Sequence, residues 1–138
     1  MLPNESEVVP DTCDLRSEKI SRILLSVDYV EFADGKKWGA DSIKSAERSA
    51  GQRAAAHIIS KRLLKILSSG NLDDVVIAIE AGAANIEPPP GRSEEWKEGF
   101  RIGCNSVTGQ LKRAQAKGGL SRIGIELRRL AEKFKEVN

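Results

Sequence analysis

Histidine and cysteine are nearly missing from this chain: His57 is the one histidine, and Cys13 and Cys104 are the two cysteines, in 138 residues. That shortage excludes a His/Cys zinc cluster, and cysteines 91 positions apart form neither a CxxC redox pair nor a disulfide-dense scaffold. A Cys13–Cys104 bridge would tie the N-terminal arm to the third predicted helix, which makes sense only in an oxidising compartment. Long apolar runs are absent too, since no segment approaches the ~18 to 20 apolar residues of a membrane helix. The opening MLPNESEVVP lacks the basic and apolar regions of a signal peptide, so the chain reads as soluble and, as written, cytoplasmic, with no membrane partner. The glycosylation acceptor pattern Asn4-Glu5-Ser6 has no meaning without export.

Charge of one sign is also lacking. Lys plus Arg number 22 against 20 Asp plus Glu, so the net +2 gives no whole-molecule case for nucleic acid or an anionic surface. Neither GxxxxGK[ST] nor GxGxxG occurs, and no DxDxDG loop is present, so no nucleotide, metal or other cofactor is expected. Gly99 and Gly103 have GxxxG spacing, which in a charged helix signals close helix contact rather than phosphate binding.

What is present fits one domain, with 40% apolar residues near the soluble average. Residues 1–19, with Pro3, Pro10 and scattered acids, hold too few apolar residues to face a core and read as a flexible arm. Residues 20–40 read as a β-hairpin, or as the end of a larger β region. Ile23, Leu25, Val27 and Tyr29 alternate, and Val30 with Phe32 continues on the opposite parity, as at a bulge or in a strand buried on both faces. Ala33-Asp34-Gly35-Lys36 supplies the turn and Lys37-Trp38 begins a return strand. Two strands bury little, so such a hairpin must lie on helices, pair with a second copy, or complete a sheet outside the chain.

Residues 41–138 read as a helical domain with a proline-rich connector at 85–91, where Pro88, Pro89 and Pro90 favour polyproline II. Asp41 and Ser42 are cap types before a helix of about 25 residues that ends at Gly70. Its early face is small (Ala46, Ala50, Ala54), implying close backbone packing, and Gly51 inside it should cost about 1 kcal/mol relative to alanine. Asn71 caps a second helix carrying Leu72, Val75, Val76 and Ile79, although Val75–Ile79 also suits a short strand. Ser93 caps a third, with Trp96, Phe100, Val107 and Leu111 at helical spacing, closed by Lys117-Gly118-Gly119. Ser121 opens a fourth, whose Ile123, Leu127, Leu130, Phe134 and Val137 form a core-facing stripe. The expected class is mostly α (α+β): a hairpin and about four helices packed as a small bundle, with Trp96, Phe100, Leu127 and Leu130 in or near the core. Residues 42–70 carry +5 and residues 71–100 carry −5, which suggests oppositely charged neighbours.

Val30-Glu-Phe32-Ala-Asp34-Gly35-Lys-Lys-Trp38-Gly39 resembles a V-x-F-x-D-G-x-x-W-G stretch of bacterial proteins of unknown function, where it closes a β-rich region before a helical tail. The resemblance implies the C-terminal portion of a longer protein and brings no activity with it. Ser69 to Ala83 is similar to the second half of one ankyrin repeat, but no T-P-L-H element or second copy accompanies it, and such arrays need stacked repeats.

No residue set converges on catalysis. His57 has no obligatory acid in local reach, and Cys104, with Arg101 three residues away, reads as a buried inert thiol. The favoured reading is therefore a non-enzymatic interaction or structural module. Val27, Tyr29, Phe32 and Trp38 would meet a protein partner, or a second copy, at the hairpin edge. A second reading is a polyanion or nucleic-acid binder using Arg122, Arg128, Arg129 and Lys133 in the C-terminal stretch 111–138, locally +5 but interleaved with Glu126, Glu132 and Glu136. A third is a small enzyme built on His57 or Cys104, recognisable by a cleft and a perturbed pKa.

Overall fold

A computed structural model describes Arg22 and residues 24–135. The predicted arm, Cys13 and its bridge, Ile20, Ile23, the Asn4 acceptor and Val137 lie outside the described residues. The fold is mostly helical: β1 (Val30–Glu31), β2 (Lys37–Trp38), α1 (Ser45–Ser69), α2 (Leu72–Glu80) and α3 (Glu94–Lys133) follow in order.

The predicted long β segment shrinks to a ladder of two pairs, Val30 opposite Trp38 and Glu31 opposite Lys37, in antiparallel register. Residues 24–29 pair with no strand among the described residues. Alternation of Leu25 and Val27 suits a strand only if one parity is buried, and both side chains are exposed instead. The turn follows the sequence: Gly35 at φ 82° donates to the Phe32 carbonyl at 2.9 Å, and Phe32 N–H donates to the Lys36 carbonyl at 2.8 Å.

Asp41 acts as the cap of α1 from a distance. Its carboxylate accepts from the amides of Ser45 and of Ala46 (3.1 Å) while Lys44, the residue before the helix, is left-handed at φ 54°. Asn71 and Asp74 form a complete capping box at α2, so Val75–Ile79 is helix and not strand. Ser93 caps α3 by accepting from the Trp96 amide at 3.2 Å.

Three helices stand where about four were expected, because the predicted third and fourth form one α3 broken at Gly118 and Gly119. The break reverses the chain: Arg129 Nη2 lies 3.4 Å from Gln110 Oε1, whereas 19 residues of straight helix would span ~28 Å. Gly119 has φ 69°, a left-handed conformation that costs other residues about 1 kcal/mol or more.

α1 packs on α3 along a seam of glycines. A Cβ on Gly51 would overlap the Trp96 carbonyl, one on Gly99 would overlap the Arg48 carbonyl, and one on Gly103 would sit 2.8 Å from the Ala55 Cβ. Close approach thus runs through Gly51 and Ala55 against Gly99 and Gly103, not through Ala46, Ala50 and Ala54 as the small face suggested. Because contacts rise together along both helices, α1 and the first limb of α3 run parallel. Lys44 pairs with Glu95 at 3.1 Å and Arg48 with Glu98 at 2.8 Å, so the acidic neighbour of basic α1 is the start of α3. A parallel pair needs a return connection, which α2 and the non-helical 81–93 segment provide.

The core joins Ala55, Ile59 and Leu63 of α1, Val75 of α2, and Trp96, Phe100, Val107, Leu111, Ile123, Leu127 and Leu130 of α3. Trp96 and Phe100 stack with centroids 5.3 Å apart. No helix among the described residues is long and apolar enough to cross a membrane.

Candidate functional site

Polar contacts close the base of the hairpin and tie β1 to α1. Asp28 accepts from the Ser42 hydroxyl at 2.6 Å and the Ile43 amide at 3.4 Å, and the Ser42 hydrogen bond is the main reason its carboxyl sits below the usual aspartate range. Glu31 of β1 receives the Tyr29 hydroxyl at 3.0 Å and pairs with Arg53 of α1 at 3.4 Å. Partial desolvation, then the Glu31 carboxylate, push the Tyr29 phenol up.

Polar anchoring leaves apolar side chains uncovered. Val27 is 65% exposed, Trp38 59% and Phe32 43%, while Tyr29 is half-buried. Leu24, Leu25 and Ile43 extend the same exposed set, so six of the ten large exposed hydrophobics among the described residues fall between 24 and 43. Sequence reasoning missed Leu24 and Ile43 because a hydrophobic residue near a predicted strand or helix start is ordinarily assigned to the core.

Beside β2 lies a groove of about 670 Å³, bounded by Lys37, by one side of α1 and by the loop and first turn of α3. Ala46, Ala50 and Ala54 line it with side chains too short to fill it, and Lys37, Arg53 and Arg92 bring positive charge. Arg92 also stacks over Trp96 at 5.0 Å, and Glu47, the carboxylate in the lining, is engaged by the Ser93 hydroxyl. These cations come from three separated segments, which is why no local spacing revealed them.

His57 reaches the groove but serves as a strap. Its Nδ1 donates to the Phe134 carbonyl at 2.8 Å, fastening the end of α3 to the middle of α1, and among the described residues no carboxylate bonds to the ring. Cys104 is a buried free thiol, pushed above the usual thiol range chiefly by desolvation, the opposite of an activated nucleophile. No group of three or more potential metal ligands gathers among the described residues.

The four C-terminal bases are on the second limb of α3, all exposed. Arg129 is engaged by Glu126 through two contacts of 2.6 and 2.9 Å, and Lys133 sits 5.3 Å from the Phe134 ring centroid. Arg122 and Arg128 form no ion pair among the described residues. Arg129 and Lys133 are thus in direct contact with a neighbour, whereas Arg122 acts on Glu126 only through its charge.

No protein-family model, curated protein or solved structure matches the chain.

Proposed function

We propose that this protein is a non-enzymatic interaction module whose hairpin unit, residues 24–43, docks a partner protein. The observation that carries the reading is the concentration of exposed apolar side chains on and around a two-pair ladder, with Trp38 on it and Leu24, Leu25, Val27, Phe32 and Ile43 in the segments beside it, all exposed. Two strands bury too little to be stable alone, and both carry unpaired backbone groups on their outer edges. An added strand would satisfy those groups, and apolar pockets on the partner would cover the side chains. Neither His57 nor Cys104 has the surroundings of a catalytic base or nucleophile, which removes support from the enzymatic reading.

The test is affinity capture with the wild type and with a Phe32→Ser, Trp38→Ser double variant, followed by direct titration of the recovered protein. A stoichiometric partner that binds the wild type and loses affinity at least about tenfold for the variant supports the reading. Retention of that partner by the variant, or capture only of salt-sensitive nucleic acid, contradicts it.

A further inference from the structure

We infer that the groove beside β2 receives an acidic, extended segment of the partner chain. This inference rests on the hairpin reading and adds the partner's chemistry to it. Ala46, Ala50 and Ala54 are spaced by four along α1, so the shallow floor runs ~12 Å, about the reach of three or four residues of extended chain. Lys37 joins β2 to the groove, so a chain that docks on the hairpin passes its mouth.

Charge selects the occupant. Lys37, Arg53 and Arg92 outnumber the single carboxylate in the lining, Glu47, which already accepts the Ser93 hydroxyl. Arg53 is partly satisfied by Glu31, whereas Lys37 and Arg92 form no ion pair among the described residues. A partner carboxylate near those two side chains gains both an opposite charge and a hydrogen-bond donor. Nucleic acid fits less well, because single-strand binding wants exposed stacking rings, and of the two rings in the lining Trp96 is buried and the His57 imidazole is half-buried and held by the Phe134 carbonyl.

The probe is a pair of fluorescein-labelled seven-residue peptides, alternating Val-Glu and alternating Val-Lys, titrated by anisotropy against the full chain, with a seven-nucleotide oligothymidylate as the competing polyanion. The expected result is at least about tenfold tighter binding of the Val-Glu peptide, weakening with added salt. A Lys37→Gln, Arg92→Gln double variant should remove that preference while its circular dichroism is unchanged. Ala50→Leu should block the groove by filling it, and the charge variant keeps the test decisive if the larger side chain disturbs folding. Equal binding of both peptides, binding of neither, or tighter binding of the oligothymidylate overturns the inference. The hairpin reading is judged separately by the Phe32→Ser, Trp38→Ser variant, which leaves the groove cations in place.

Discussion

Adding one methyl group at Gly99 would drive it into the Arg48 carbonyl, whereas at Gly109 the nearest atom to a new Cβ is the mobile Arg113 Nη1, 3.5 Å away. Both glycines are in α3, so helix propensity favours alanine at each by up to ~1 kcal/mol, and only the seam opposes it. Gly99→Ala is expected to lose about 1–3 kcal/mol of unfolding free energy, as overpacked interfaces do, and Gly109→Ala to gain up to about 1 kcal/mol. Urea denaturation of the two variants checks the pair. Ser60 offers the converse case: it is fully buried, and its Oγ has no hydrogen-bond partner among the described residues. Leaving a buried hydroxyl unsatisfied costs about 1–3 kcal/mol, so Ser60→Ala should raise stability by about 1 kcal/mol in the same measurement. A variant less stable than wild type would show that the hydroxyl is satisfied after all.

At the scale of elements, caps and anchors decide where each segment starts. Asn71 closes a capping box, and Asn71→Ala should cost about 1 kcal/mol. Asp41 both caps α1 and holds a left-handed backbone at φ 50°, so Asp41→Ala should cost more, with Asp41→Gly recovering part of the loss. Thermal unfolding of the three variants orders them. The hairpin's anchor is pH-sensitive. Asp28 is held below its ordinary pKa by the Ser42 hydroxyl, so its contribution is complete above the unfolded carboxylate range and is lost as pH falls through the lower native value. Stability measured from neutral to acid pH should therefore separate wild type from Asp28→Asn at neutral pH and bring the curves together in acid. A constant gap would show that the charge on Asp28 does not matter.

These elements were unequally legible. Asn71 and Ser93 announced their helices because a cap acts over three residues, a range that a local pattern contains. Trp96, Phe100, Leu127 and Leu130 are buried, as their helical spacing implied. The strand is shorter than the alternation implies, since the spacing of Leu25 and Val27 carries no information on whether a core lies opposite. Helix propensity counts Gly51 as a cost, but it is the point where α1 meets the Trp96 carbonyl, a fact that depends on α3. The groove was invisible for the same reason: Lys37, Arg53 and Arg92 meet only after the fold forms.

The whole molecule divides into a helical body and the hairpin unit proposed to dock a partner. The body is closed by the α1–α3 seam and by the His57 strap to Phe134, and it exposes four large hydrophobics, Ile58, Ile77, Ile102 and Ile125, against six in the shorter hairpin unit. The hairpin unit is closed by Asp28 on Ser42 and Ile43, is joined to α1 by Glu31 and Arg53, and shows Phe32 and Trp38 to solvent. Replacing those two exposed side chains should leave stability within about 0.5 kcal/mol, the range of ordinary surface substitutions, while abolishing docking. Affinity capture by wild type and by the Phe32→Ser, Trp38→Ser variant, each confirmed as folded, tests this most directly. The expected result is one stoichiometric protein on the wild type and its loss from the variant; the same partner held equally by both would contradict docking through the hairpin.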